Sequence, residues 1–302
     1  MRRVVSVSLG SSKRNHAVET ELLGQSFNIE RIGCDGDVAK AVALIKKLDG
    51  QVDCFGMGGT DIYLVAGKRR YTLRAGLSLA RAAVKTPIVD GSGIKNSLQA
   101  IAVRAMKEAG YNFAGKKALV VAAIDAFGLV EALQAEGVKV VMGDLIFTIG
   151  VPVPIHTLAG LDRIARLLAP IICRLPMSWI YPTGEEQDKK ERKPSKYAGY
   201  YDEADIISGD WHYIKKHMPE RLPGKTVITN TITKDDVALL KEAGVEWLVT
   251  TTPELQGRSF GTNVIEAILV TLIGKPPRET TTQDYLDILD RMGYQPRIER
   301  LV

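Results

Sequence analysis

A chain of 302 residues, 45% hydrophobic and 25% charged, has the composition of a packed globular protein and the length for two cores. Forty basic against 35 acidic residues leave a net charge of +5, a mild excess that favours small anionic ligands. The basic residues are dispersed, without the aromatic-and-basic ladder of a nucleic-acid face. Cys34, Cys54 and Cys173 are too few and too far apart for a disulfide framework or a metal set, and no apolar run of about 18 residues offers a membrane span.

From the N-terminus, the β-branched VVSVSL (4–9) reads as a strand followed by a Gly-Ser loop. FNIERIG (27–33) reads as the second strand, and DVAKAVALIKKLDG (37–50) as a helix with an Asp at its start and a Gly at its end. VDCFGMGG (52–59) and TPIVDGSG (86–93) are strands running into glycines, and NSLQAIAVRAMKEAG (96–110) is a helix. The alternation restarts after YNFAGKK. ALVVAA (118–123) is a strand, AFGLVEALQAEG (126–137) a helix and VKVVMGD (138–144) a strand ending on an acid. Then come ADIISGD (204–210), KTVITNT (225–231), the helix KDDVALLKEAG (234–244) with Thr233 set three residues before Asp236 for a capping box, VEWLVTTT (245–252) and a helix from Gly261 to Gly274.

Strands alternating with helices of this length predict α/β architecture: two Rossmann-like three-layer domains with mainly parallel sheets facing a central cleft. The expected units are 1–110, 111–275 and a C-terminal helix in 276–302 packing back on the first. The charged, proline-containing segment 181–201 reads as an exposed excursion, with a lid over the cleft as the sharper alternative.

The stretch VVAAIDAFGLVEAL (120–133) occupies the position of a dinucleotide phosphate loop. Of the three glycine positions of that fingerprint it keeps only Gly128, with Ala123 and Asp125 at the others. Asp125 reads either as a helix N-cap or as a carboxylate lying where phosphate oxygens would go; Ile124 sits beside it in the same turn. Asp144, about 20 residues on, is placed to bond a ribose hydroxyl.

Polar loops at predicted strand ends carry more information, because ligands of parallel α/β sheets bind at the carboxyl ends of strands. Ser8, Ser11, Ser12 and Lys13 form a candidate nest for a carboxylate or phosphate, with Asn96 as a further substrate ligand. Thr60 and Asp61 follow one strand, and Lys95 opens a helix. Seven such loops opening one way predict a long cleft.

Several stretches resemble bacterial proteins labelled quinate or shikimate 5-dehydrogenases: RVVSVSLGSSKRNH, FGMGGTDIY, PIVDGSGIKN, YPTGEE, GDWHYIKKHMPER and VTTTPELQGRSFGTNVIEA. The chain departs from the well-studied shikimate dehydrogenases in lacking their N-V-T-x-P-x-K stretch and full glycine fingerprint. The resemblance implies NAD or NADP as cofactor and an NAD(P)-dependent oxidoreductase acting on a hydroxyl of a small hydroxy acid. The alternatives are a non-redox transferase or lyase, or a two-lobed binding protein for a phosphorylated or carboxylate ligand. Under the dehydrogenase reading, Lys95, Asp61 and His212 are the candidate catalytic groups. Lys95 would have its pKa lowered at a helix start, and His212 would share a strand face with Asp210. Thr251, Thr252, Arg258 and Ser259 are candidate cofactor contacts beside Ile124, Asp125, Gly128 and Asp144. No metal is expected, since His16, His156, His212 and His217 are scattered. The expected partner is a small anionic molecule, with a homodimer left open, no nucleic acid, no membrane, and a cytoplasmic location.

Overall fold

The run RRVVSVS alternates little and buries its last five residues, the behaviour of a strand covered on both faces. It forms β1 (Arg2–Ser8), the central strand of a sheet ordered β2-β3-β1-β4-β7, with β2 (His16–Leu22), β3 (Gln25–Gly33), β4 (Cys54–Gly58) and β7 (Ile88–Val89). All neighbours are parallel except β2 and β3. The computed structural model describes residues 1–66, 69–175, 197–255 and 258–302, with the side chains of 66, 254, 255, 258 and 259 outside the description. Most of the 181–201 segment therefore lies outside the described residues.

Sequence reading takes FNIERIG for the second strand; it is the third. β2 is an edge strand with a single buried residue, Val18, and carries little apolar signal. A two-residue turn joins it to β3, with Leu23 at φ 48° and Gly24 at φ 74°, the left-handed pair such a hairpin needs.

One face of this sheet is covered by α1 (Val38–Leu48), capped by Asp37, and by α2 (Arg74–Ala80). The other face is covered by α9 (Thr262–Ile273) and α10 (Thr282–Arg291). Residues 262 to 270 of α9 are all buried; a helix that is apolar around most of its circumference fits between a sheet and another helix. The sequence reading placed the helix from Gly261 to Gly274 in the second unit. The structure corrects this, since Val264, Ile265 and Ile268 pack with Val4, Ile29 and Cys54 of the first sheet.

The second sheet is ordered β15-β12-β11-β10-β8-β9, from β8 (Lys117–Val120), β9 (Lys139–Met142), β10 (Ile206–Ser208), β11 (Thr226–Thr229), β12 (Trp247–Thr250) and β15 (Arg297–Arg300). Only β15 is antiparallel to its neighbour. On one face lie α4 (Phe127–Ala135), α5 (Leu158–Ile172) and the C-terminal half of α3 (Lys95–Glu108). On the other lie α6 (Ala198–Glu203), α7 (Trp211–His217) and α8 (Lys234–Ala243). The predicted capping box of Thr233 and Asp236 opens α8. The chain is thus a two-lobed α/β fold with mostly parallel sheets.

The chain crosses between lobes at α3, before α9 and again before β15. A hairpin of β5 (Tyr63–Ala66) and β6 (Arg69–Thr72) reaches from the first lobe. Leu64 and Leu73 pack there on Ala169 and Cys173 beside α5. A second short hairpin, β13 (Glu254–Leu255) and β14 (Arg258–Ser259), precedes α9. Among the described residues no helix is long and apolar enough to cross a membrane.

Candidate functional site

The carboxyl ends of β1, β4, β7, β8, β10 and β11 open onto one cleft between the lobes, with a volume of about 810 Å³. That is the size of a small-molecule site. The first lobe contributes Ser6, Ser8, Lys13, Arg31, Asp61 and Asp90, and the second contributes Asp125, Asp210, His212 and Asn230. Lys95 and Asn96 enter from the start of α3.

Lys95 Nζ donates to Asp125 Oδ2, which ties the two lobes together across the cleft floor. Burial works against a charged lysine here, but the carboxylates of Asp125 and Asp61 outweigh it and hold the ammonium well above the ordinary lysine value. This is the reverse of the lowered pKa expected for a lysine at a helix start.

Asp210 does not share a strand face with His212. It caps α7, accepting from His212 N at 2.9 Å and from Asn230 Nδ2 at 3.0 Å. Burial would raise its pKa, yet the charges of His212 and Lys95 and the Asn230 amide bring it below the usual aspartate value. Asp90 accepts from the N–H groups of Ile62, Tyr63 and Ser92 and from the Ser92 hydroxyl, so it shapes the loops around the cleft.

The turn after β8 is closed by side chains from elsewhere in the chain. Its N–H groups, which a pyrophosphate would need, are taken by the protein. Ala123 and Ile124 donate to the Asp144 carboxylate at 3.1 and 2.9 Å. Gly128 N–H donates to Asn96 Oδ1 at 3.1 Å and Leu129 N–H to Gln99 Oε1 at 3.1 Å. The α4 N-terminus is thus capped by side chains of α3, and Asp125 is not its cap. Asp144 is buried and its pKa pushed up to about 6, against the pull of those two N–H groups. Its carboxylate bonds the loop from within and is not among the residues that line the cleft. Gly128 serves packing, because a Cβ there would lie 2.6 Å from the Asn96 carbonyl oxygen.

The remaining predicted residues separate into two groups. Ser8, Lys13, Asp61, Lys95, Asn96, Asp125 and His212 line the cleft. Ser11 is buried and caps the short turn Ser12–Arg14, while Ser12 N–H donates to Asp35 at 2.6 Å. Thr251 and Thr252 are buried; Thr252 Oγ1 donates to the Asn230 carbonyl at 2.7 Å, so they brace a loop and do not face the cleft. The side chains of Arg258 and Ser259 lie outside the described residues.

Sequence reading missed Ser6, Arg31 and Asn230. Ser6 and Arg31 sit inside strands, where loop-end reasoning does not look; the serine and arginine of SVS and ERI were the only signals. Among the described residues no group of three or more His, Cys, Asp or Glu is placed to hold a metal.

Structures that the chain resembles include a sugar ABC transport substrate-binding protein from Bordetella parapertussis 12822 (12% identity, 99% of this chain and 89% of that one, TM-score 0.38). Others are a solute-binding protein from Agrobacterium vitis with bound allitol (14%, 96% and 98%, TM-score 0.37) and a glucose-galactose binding protein from Geobacillus stearothermophilus (9%, 99% and 97%, TM-score 0.38). At TM-scores this low the likeness carries no argument about what this chain binds. The expectation of an NAD(P)-binding oxidoreductase is corrected by the site itself: Asp144, Asn96 and Gln99 occupy N–H donors of the turn where the phosphate loop was expected. No curated protein sequence matches the chain closely enough to count as a relative. Residues 3–90 match a domain of unknown function, DUF8753. Over residues 93–301 the chain belongs to the family described as a domain of unknown function, DUF8754.

Proposed function

We propose that the cleft binds a small, hydroxyl-rich molecule non-covalently, as a two-lobed binding protein does. The observation that carries this is the mixture of acceptor and donor side chains that line the cleft. Asp61, Asp125 and Asp210 bring carboxylate oxygens, and Lys95, Asn96 and Asn230 bring N–H donors. A hydroxyl both donates and accepts, so a polyol satisfies such a surface at several points, whereas a purely apolar or purely anionic molecule does not. Tyr63 and Tyr213 add aromatic surface at the walls, which suits the C–H edges of such a ligand.

In this reading Lys95, paired with Asp125, serves as an orienting donor. Its bond to Asp125 joins the lobes, so a ligand replacing or bridging that bond touches both at once.

Thermal denaturation with neutral polyols, monosaccharides and their acid and phosphate derivatives at 10 mM tests the proposal. A ligand that binds only the folded chain raises the midpoint with its concentration. A flat response across the whole panel would refute it.

A further inference from the structure

One corner of the cleft differs from its floor. Strand register brings His16 of β2, Arg31 of β3 and Ser6 of β1 into one row, and neighbours in register share a sheet face. Arg31 is pinned at the end of β1: Nη1 donates to the Ser11 carbonyl and Nη2 to Ser8 Oγ, each at 3.1 Å. Lys13 and Arg14 border the same corner from the turn that follows β1. The start of α9, which has no side-chain cap, faces it through Gly261 and Thr262, and a helix start favours negative charge.

The two serines decide what the corner accepts. Ser8 is 3% exposed and Ser6 2%. Ser8 Oγ accepts from Gly10 N and from Arg31, both at 3.1 Å, so its lone pairs are used. Ser6 Oγ accepts from Asn263 Nδ2 at 2.7 Å. Among the described residues neither hydroxyl donates a hydrogen bond. Each therefore keeps one buried O–H donor on the cavity wall, and a buried donor without an acceptor is costly. Gly33 and Gly58 flank Ser8 in register, so neither strand neighbour adds a side chain beside it.

The corner thus offers donors and positive charge, while the floor also offers acceptors. We infer that the ligand is a phosphate monoester of a polyol, its phosphate bound by Ser6, Ser8, Arg31, Lys13 and Arg14 and its hydroxyls directed at the Asp-rich floor. This rests on the proposed binding function and names its ligand class. A phosphate brings close to two negative charges and three acceptor oxygens, matching three cations and two hydroxyls better than the single charge of a carboxylate does.

The test is calorimetric titration of the full chain with D-glucitol, D-gluconate, D-glucitol 6-phosphate and inorganic phosphate. The ester is expected to bind at least about tenfold more tightly than glucitol or gluconate, with inorganic phosphate competing. Ser8→Ala is expected to weaken the ester about tenfold, the worth of one hydrogen bond to a charged group. Should that variant fail to fold, Lys13→Gln combined with Arg14→Gln at the half-exposed turn makes the same comparison. Glucitol or gluconate binding as tightly as the ester, or an ester affinity indifferent to these substitutions, overturns this inference and leaves the cleft reading intact. Failure of all four ligands to bind overturns both.

Discussion

Glu266→Gln should remove a specific part of the pH dependence of stability. Glu266 lies on α9, 4% exposed, where it accepts from Gly91 N–H at 2.6 Å and from the Tyr285 hydroxyl at 2.9 Å. It ties the loop entering α3, a crossing between the lobes, to the helical layer of the first. Burial, with the nearby charge of Asp90, pushes its pKa up from 4.5 to about 7. A carboxyl whose folded value is raised binds its proton more tightly in the folded state. Its contribution is therefore fully present below pH 4.5 and lost as pH rises to about 7. That displacement corresponds to about 3 kcal/mol, at about 1.4 kcal/mol per tenfold change in proton affinity. Urea denaturation of both proteins between pH 4.5 and 8 measures it. The wild-type free energy of unfolding should fall relative to the variant by about 3 kcal/mol across the window. A constant offset of about 1–3 kcal/mol from the altered hydrogen bond to Gly91 is expected at every pH. Taking the difference between the proteins cancels Asp144, which titrates in an overlapping range. Parallel pH profiles would refute the reasoning.

Two further substitutions probe the floor of the cleft. Lys95→Met leaves Asp125 beside Asp61 and Asp210 without its ammonium; the pair is 20% and 29% exposed, so the loss should be about 2 kcal/mol, below that of a fully buried pair, and should shrink below the carboxylate pKa range. A melting temperature unchanged at pH 7 would contradict that account. Gly128→Ala places a methyl 2.6 Å from the Asn96 carbonyl oxygen and should destabilise by about 1–3 kcal/mol by prising α3 from α4; a denaturation midpoint equal to wild type would show that the helices separate at no cost.

The sequence alone determined the lobes' α/β character, because alternating apolar runs with glycines and caps at their ends encode parallel strands and helices locally. It also placed Ser8, Lys13, Asp61, Lys95, Asn96, Asp125 and His212 at the cleft, since loops after parallel strands gather at one edge. It could not assign the roles of Lys95 and Asp144. A lysine at a helix start and an acid at a strand end read the same whether they face a ligand or a partner from the other lobe. Tertiary structure set Asp125 against Lys95 and folded Asp144 onto the N–H groups of Ala123 and Ile124, 30 and about 20 residues apart in the chain. Ser6 and Arg31 became neighbours only through strand register. Side-chain charge and hydrogen-bond state depend on distances between segments that local pattern does not specify, and those distances decided the chemistry of the cleft.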